Sequence, residues 1–226
     1  MKIADISAIY KGKGSKNDLN NERGIFIVST YRSILMKLLY IDNIETIEKH
    51  MSVSQVGGRK NMNVRNHIWV VNGVIQDVLN RKGAEPIDIQ ILDLKQCFDA
   101  LWPEECLSDL YQYGVQDHTI NLLYDGSLNT NIAIRTPVGI TQRKQVKKTV
   151  MQGDIWAPSL CATSVDSIGK ECLEEKKYLY KYRENIKIPP LSMIDDLCLI
   201  SSCGVETVKS NSYINYKAPK SLSVEP

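Results

Sequence analysis

The sequence lacks any apolar run approaching the roughly 18 consecutive residues that a membrane-spanning helix needs. Its first apolar stretch is interrupted by Asp5, so the N-terminal segment also lacks the hydrophobic region of a signal peptide. The six cysteines form no C-x-x-C pair and have no histidine at metal-ligand spacing, which argues against a zinc site. These absences predict a soluble protein inside the cell, nuclear or cytoplasmic, with reduced thiols and no membrane partner.

A large excess of one charge is also missing, because the formal net charge is only +2. The basic residues nevertheless gather in four clusters, within 11–16, 59–65, 143–148 and 176–187. Local basic clusters on a nearly neutral chain suit a groove that follows nucleic-acid phosphates. Any one cluster taken alone is better explained as a solvated surface loop.

The period of the apolar residues changes along the chain. Helical spacing predicts two long helices in the first half, the first with Thr30 as its N-cap. Their predicted apolar faces are Ile34, Leu35, Leu38 and Leu39 in the first helix and Ile68, Val71, Ile75, Val78 and Leu79 in the second. Strands, further helices and a hairpin follow in an irregular order. This order predicts an α+β fold and excludes a regular βαβ array.

Three aspartates lie in positions that suggest chemistry. Asp93 ends a predicted strand on the same face as its isoleucines, and Asp195 and Asp196 lie where two short apolar strands meet. Carboxylates in apolar surroundings are unfavourable unless they are paired or bind a metal. Together they would give Mg²⁺ its preferred oxygen ligands, and two such ions would support phosphoryl transfer. Each aspartate alone is explained better as a turn or strand-end residue.

Five segments, in order along nearly the whole chain, resemble the reverse transcriptases of LINE-type, non-LTR retrotransposons. They are KGKGSKNDLNNERGI, SQVGGRKNMNVRNHI, ILDLKQCFDAL, VMQGDIWAPSL and MIDDLCLI. Before the Asp-Asp pair this chain has Met193 and Ile194, where the family usually has an aromatic and a small residue. In the second segment Gly58 replaces the usual phenylalanine.

The resemblance implies a role for each matching residue. Asp93, Asp195 and Asp196 would be the catalytic, metal-binding carboxylates for two Mg²⁺ ions, with Mn²⁺ as a possible substitute. The implied nucleotide-binding residues are Lys11, Lys13, Arg23, Phe98, Gln152 and Gly153. Arg23 and one of the two lysines would hold the triphosphate, and Phe98 would exclude a ribose 2′-hydroxyl, although an ordinary core aromatic is an equally good interpretation of Phe98.

The resemblance also implies the architecture and the partners. We expect right-hand polymerase fingers and palm, an antiparallel palm sheet flanked by helices, and a missing thumb. The expected regions are fingers (1–85), palm (86–113), a fingers–palm connection (114–150), palm (151–210) and a loose C-terminal tail (211–226). The implied partners are an RNA template, a DNA primer and a dNTP, without an organic cofactor. Two alternatives stay open: an RNA-dependent RNA polymerase palm, and a catalytically dead relic that only binds nucleic acid.

Overall fold

The computed structural model describes residues 2–83, 86–95, 97–127, 130–147, 150–175, 179–183, 186–202 and 223–225. Two compact units divide the chain, Met1–Ile47 with Phe98–Leu160 and Glu48–Cys97 with Cys161–Pro226. Helices and mostly antiparallel sheets occur in both, which confirms the predicted α+β class. The two units divide the chain at different residues from the predicted fingers and palm regions, and the boundaries of those regions stay a prediction. No helix in the described part of the chain is long and apolar enough to cross a membrane.

The first unit contains a five-stranded sheet. Its strands are β1 (Ile3–Tyr10), β2 (Glu22–Val28), β4 (Thr130–Thr136), β5 (Gly139–Ile140) and β6 (Lys144–Val146). The long antiparallel β1–β2 pair forms a ribbon, β4 lies parallel to β1, and β5 and β6 pair with β4. Ala4, Phe26 and Met151 form a small buried cluster beside this sheet.

The helices of this unit are α1 (Thr30–His50), α3 (Cys97–Ala100), α4 (Pro103–Gln112) and α5 (Asp117–Ser127), with the ends of α1 and α3 crossing the unit boundaries. The backbone N–H of Arg32 donates to Ser29 Oγ (3.3 Å), so Ser29 rather than the predicted Thr30 caps α1. The predicted apolar face of α1 is wrong in part, because Leu39 is buried but Ile34 and Leu38 are more than half exposed. The residues that α1 buries are Arg32, Met36, Leu39, Asn43 and Ile47.

The second unit is built on a four-stranded sheet in the order β11-β3-β10-β9, in which every pair is antiparallel. Its elements are α2 (Val64–Asn80), β3 (Asp88–Lys95), α6 (Ala157–Glu175), β7 (Lys181–Arg183), β8 (Ile186–Lys187), β9 (Leu191–Met193), β10 (Asp196–Ser201) and β11 (Ser223–Glu225), with the first turn of α6 belonging to the first unit. The short strands β7 and β8 form a separate hairpin. The predicted antiparallel sheet between helices is therefore present in this unit.

The buried face of β3 is the leucine face. Leu92 and Leu94 are 1% exposed, and Leu92 lies opposite the buried Leu197 of β10. Ile91, on the face that the sequence suggested as apolar, is 72% exposed. Asp93 shares this open face because side chains alternate along a strand. Asp93 is therefore exposed and is not embedded in an apolar surface as expected.

Helix α2 packs through only part of the predicted face, because Val71 and Val78 lie against the buried core but other members of that face do not. The side chain of Asn63 accepts from the backbone N–H of Arg65 and caps the helix. His67 and Val74 are its buried residues, whereas Ile68 and Leu79 of the predicted face are exposed. The buried stripe contains a histidine, so a search for apolar residues alone places the face at the wrong angle.

The predicted loose tail over 211–226 needs one correction. Residues 223–225 form β11, which pairs with β3 in a register that sets Val224 opposite Leu94. The backbone N–H and C=O groups at an edge strand favour such pairing even where the added segment has little apolar pattern. The rest of that tail, Lys148, and Lys176 of the fourth basic cluster lie outside the described residues.

Candidate active site

The three predicted catalytic aspartates meet at one end of the second unit's sheet. Asp196, the first residue of β10, lies directly opposite Asp93 of β3, so both side chains project from the same face. Ile194 and Asp195 form the two-residue connection between β9 and β10, closed by the pairing of Met193 with Asp196. We call residues 193–196 the Asp-Asp turn. The strand register thus brings together carboxylates that are about a hundred positions apart in the sequence.

Burial and the repulsion between neighbouring carboxylates both raise pKa values in the Asp-Asp turn. Burial is the main cause that raises the pKa of Asp195, and the charges of Asp196 and Asp93 raise it further against the effect of its own backbone hydrogen bond. Burial, followed by the charge of Asp93, also raises the pKa of Asp196. Ionised carboxylates are therefore disfavoured at this turn unless a cation compensates them.

The donor chemistry of the turn suits a hard divalent cation. No group of three or more His, Cys, Asp or Glu side chains within the described residues is close enough to hold a metal ion on its own. Mg²⁺, however, is usually bound through one or two carboxylates together with water and substrate phosphates. The facing pair of Asp93 and Asp196 fits that pattern, in which the substrate completes the coordination.

In the first unit the predicted pocket residues Gln152 and Gly153 lie against β2. The backbone N–H of Phe26 donates to the carbonyl of Gln152 (2.8 Å). Gly153 has a φ of 103°, and a Cβ at this position would lie 3.0 Å from the carbonyl oxygen of Phe26. Only glycine allows this close approach without strain. The segment 150–156, which we call the Gln-Gly loop, is thereby held on the strand that also carries Arg23.

Phe98 lies in the short helix α3 and is half-buried. Its carbonyl accepts a hydrogen bond from the backbone N–H of Val150 (2.7 Å), at the start of the Gln-Gly loop. The structure therefore links the backbone of the predicted sugar gate to the loop that carries Gln152. The steric role of the ring stays a prediction.

The predicted triphosphate-binding residues lie along the β1–β2 ribbon and are exposed. Arg23 is paired in register with Ile9. The Lys11 ammonium donates to the carbonyl of Asn20 (2.7 Å), close to the turn that carries Lys13. That turn uses left-handed backbone at Gly12 and Gly14, with φ values of 79° and 77°. Arg23 thus lies on β2 and the two lysines lie in the turn that connects β1 to β2, and their binding of a triphosphate stays a prediction.

A buried ion pair that the sequence did not reveal holds the Gln-Gly loop. The Arg32 guanidinium is 2% exposed, and it donates to Asp154 Oδ2 (3.0 Å) and to the carbonyl of Gly126 (2.5 Å). Asp154 Oδ1 accepts from the backbone N–H of Trp156 (3.1 Å), so the carboxylate spans the exit of the loop. The one available signal was an arginine in register with the apolar residues of α1.

A second buried carboxylate fixes the segment that follows α1. Asp166 of α6 is 1% exposed and accepts from both the backbone N–H (3.0 Å) and the hydroxyl of Ser52. Lys170, one turn further along α6, forms an ion pair with it (3.3 Å). Sequence gave no indication of this contact, because its partners are 114 positions apart.

Comparison with known proteins assigns this arrangement to a family. The model of the family described as reverse transcriptase (RNA-dependent DNA polymerase) matches residues 14–210. The chain belongs to the reverse transcriptase family. This match includes strand β2, the Gln-Gly loop and the Asp-Asp turn. No curated protein sequence is significantly similar to the chain.

Solved telomerase structures have the same fold as this reverse transcriptase domain. Apo telomerase from Candida tropicalis superposes with a TM-score of 0.66 at 13% identity, over 99% of this chain and 43% of that one. Its complex with the TWJ fragment of telomeric RNA gives 0.61 at 13% identity, over 96% and 39%. The corresponding complex from Candida albicans gives 0.59 at 12%, over 99% and 41%. The chain thus spans less than half the length of these structures, and at such identities they share the fold alone.

Proposed function

We propose that this reverse transcriptase domain catalyses RNA-templated DNA synthesis, in which a primer 3′-hydroxyl attacks the α-phosphate of a dNTP. The observation that carries the proposal is the meeting of Asp93, Asp195 and Asp196 at one end of an antiparallel sheet, in a chain that the family model covers from 14 to 210. The raised pKa values of Asp195 and Asp196 support it, because perturbed carboxylates at one turn are typical of a functional site.

Divalent metal, Mg²⁺ or Mn²⁺, would supply charge stabilisation to the reacting phosphate when bound. Asp93 and Asp196 would hold it from facing strands, and Asp195 would add its carboxylate from the turn. Their contribution is positioning and electrostatics, since phosphoryl transfer requires little covalent chemistry from the protein.

The nucleotide would be bound by the first unit. Arg23, with Lys11 or Lys13, would bind the triphosphate from the β1–β2 ribbon, since a guanidinium provides paired donors for phosphate oxygens. Gln152 would offer its amide to the nucleotide from the loop that Gly153 holds against β2. Phe98 would discriminate against a 2′-hydroxyl by size. The Val150–Phe98 backbone hydrogen bond supports this proposal, because it ties α3 to the same loop.

The biological context is also a proposal. The five matching segments suggest a non-LTR, LINE-type retrotransposon as the source, and an RNA template and DNA primer as its partners. The similar structures named above are telomerases, which also fit RNA-templated DNA synthesis. We place the protein inside the cell, in the nucleus or the cytoplasm, where such partners occur.

Primer extension on an RNA template tests the proposal. We expect dNTP incorporation that requires Mg²⁺ or Mn²⁺, prefers dNTP to rNTP, and falls at least a hundredfold in Asp93→Asn and Asp195→Asn. Preference for rNTP would favour an RNA-dependent RNA polymerase. Template binding without metal-dependent extension, at enzyme concentrations above that of the primer, would favour a relic that only binds nucleic acid.

A further inference from the structure

We propose that Gln55 is a positioning residue for the catalytic aspartates, because its side-chain amide holds the backbone of the Asp-Asp turn in place. The proposal rests on the proposed function of that turn. Gln55 lies in the QVGGR part of the sequence, to which the family resemblance gave no chemical role. All the contacts that support this role lie within the second unit, and they are made by the neutral side-chain amide of Gln55.

The Gln55 amide is fully buried at 0% exposure, and both of its ends bind the turn. Its Oε1 accepts from the backbone N–H of Ile194 (2.9 Å) and of Gly57 (2.9 Å). Its Nε2 donates to the carbonyls of Ile194 (3.3 Å) and Ala162 (3.5 Å). Ile194 directly precedes Asp195, so one side chain satisfies both polar backbone groups of the residue before the carboxylate. An amide with two acceptor and two donor positions is fully used in this geometry.

Backbone pairing brings Gln55 to this position. The N–H of Val56 donates to the carbonyl of Ser192 (2.9 Å), and the N–H of Ser192 donates to the carbonyl of Ser54 (2.8 Å). Gln55 and Ser192 thus form a parallel bridge at the outer side of β9. The segment 54–56 therefore pairs with β9 like a very short extra strand, beside the hairpin whose turn carries Asp195 and Asp196.

The turn needs such a restraint because its backbone is strained. Ile194 has a φ of 59°, at the first central position of a two-residue hairpin turn that glycine usually occupies. A β-branched residue in this left-handed conformation is a genuine outlier, and it persists only where its surroundings determine it. Hydrogen bonds from Gln55 to both its N–H and its C=O provide that determination.

Close contact with Gly57 fixes the turn from a second side. A Cβ on Gly57 would lie 2.4 Å from both the backbone nitrogen and Cγ1 of Ile194, closer than real atoms approach. The absence of a side chain at Gly57 therefore permits the turn to sit where it does. The glycine is needed for this approach, whereas the neighbouring Gly58 has a left-handed φ of 69°.

Arg59 secures the segment that carries Gln55. Its guanidinium donates to the carbonyls of Ser52 (2.6 Å), Gln55 (3.0 Å) and Glu48 (3.1 Å). The arginine thereby ties the QVGGR segment to the end of α1. Gln55, Gly57 and Arg59 thus form one support behind the Asp-Asp turn.

The test measures the turn and its metal affinity in the whole chain, with Mn²⁺ as the probe and its EPR signal as the readout. We expect Gln55→Ala to weaken Mn²⁺ binding about 10- to 100-fold, which is typical of lost support behind metal-binding side chains. We also expect the Ile194 amide to exchange its hydrogen much faster in this variant, because Gln55 Oε1 is its acceptor.

Two matched pairs separate positioning from general destabilisation. Gly57→Ala should weaken Mn²⁺ binding as well, whereas Gly73→Ala should leave it unchanged, because a Cβ at Gly73 meets no atom within 4 Å. Val74→Ala removes buried volume from the core cluster with Tyr180 and Ile200 and controls for the loss of stability that Gln55→Ala brings. If Gln55→Ala does not fold, the comparison of the two glycines decides.

Asp195→Asn distinguishes failure of this inference from failure of the proposed function. If Asp195→Asn weakens Mn²⁺ binding while Gln55→Ala and Gly57→Ala bind as their controls do, the positioning role is wrong. Unchanged Mn²⁺ affinity in Asp195→Asn would instead overturn the metal-binding function on which the inference rests. Weakened binding in all three variants, with normal binding in Gly73→Ala and Val74→Ala, supports the inference.

Discussion

The two units restrain their functional loops with different chemistry. In the first unit the buried charges of Arg32 and Asp154 hold the exit of the Gln-Gly loop at an N–O distance of 3.0 Å. In the second unit the neutral amide of Gln55 holds the Asp-Asp turn through two hydrogen bonds to Ile194, and two more hydrogen bonds to Gly57 and Ala162 fix the amide itself. A charged group beside Asp195 would either neutralise the carboxylates or add to their repulsion. A neutral amide restrains the backbone and leaves their charge available to a cation.

The difference predicts that the ion pair contributes more to stability than the amide does. Asp154→Ala leaves the Arg32 guanidinium buried without its counterion, and loss of one partner of a buried pair costs about 3–5 kcal/mol. Urea unfolding should show this loss. The matched control is Asp125→Ala, which breaks the exposed ion pair with Lys2 (2.7 Å) and should cost less than about 1 kcal/mol. Similar losses in the two variants would contradict the proposed importance of burial.

Loss of the Gln55 amide should have the second largest effect on the free energy of unfolding in urea. Gln55→Ala leaves the N–H groups of Ile194 and Gly57 without their acceptor, and each buried group left unsatisfied costs about 1–3 kcal/mol. Relief of the strained φ at Ile194 offsets part of this, so we expect a smaller net loss than in Asp154→Ala. A larger loss of stability than in Asp154→Ala would contradict the prediction that the ion pair contributes more to stability than the amide does.

Sequence patterns predicted the elements better than they predicted the faces. The α+β class was predicted correctly, and the segments that carry Asp93 and Asp195 were correctly placed on a strand and at a hairpin turn. These features depend on local period and on motif order, which a single sequence contains. The family was recognised for the same reason, through segments spaced along nearly the whole chain.

The buried faces were predicted poorly because they include polar residues. The stripe that α1 buries contains Arg32 and Asn43, and each has a partner elsewhere in the chain. Arg32 binds Asp154, 122 positions away, and Asn43 donates to Thr119 Oγ1 (3.3 Å). A pattern search that counts only apolar residues rotates such a face towards exposed leucines. Gln55 was missed for a related reason, since its role appears only when a distant turn is folded against it.

A third prediction concerns the repulsion between the carboxylates of Asp93 and Asp196, which the neutral Gln55 amide does not compensate. Asp196→Asn should raise the free energy of unfolding without metal, by about 0.2–1 kcal/mol, because it removes a like charge directly opposite Asp93. The folded-state pKa of Asp196 is raised, so its ionised form destabilises the fold at neutral pH. As pH falls through that raised pKa, the wild-type carboxyl becomes neutral too, and the advantage of the variant should vanish. Urea unfolding of the wild type and the variant at pH 7 and pH 4 measures the gain in stability and its loss at low pH. A variant less stable than the wild type at pH 7 would contradict the prediction.

Added Mg²⁺ gives this third prediction its control. The cation should stabilise the wild type and should stabilise Asp196→Asn less, since at a given concentration a ligand that binds the folded state more tightly stabilises it more. Asp99→Asn is the matched change, because it removes an exposed carboxylate outside the turn. Equal stabilisation of all three proteins by Mg²⁺ would mean that the cation acts through general screening.

The smallest expected effect arises from His67, which supports the strand position beside Gln55. Its Nε2 lies 2.9 Å from the carbonyl of Ser54, and burial lowers its pKa below the ordinary value of 6.5 while that hydrogen bond acts in the opposite direction. The unfolded chain therefore takes up a proton at higher pH than the folded chain. Stability that is present above pH 6.5 is lost as the pH falls towards the folded-state pKa. His67→Gln cannot titrate, so its stability should decline less between pH 7 and pH 5 than that of the wild type. Parallel declines in urea unfolding would assign the pH dependence to other groups.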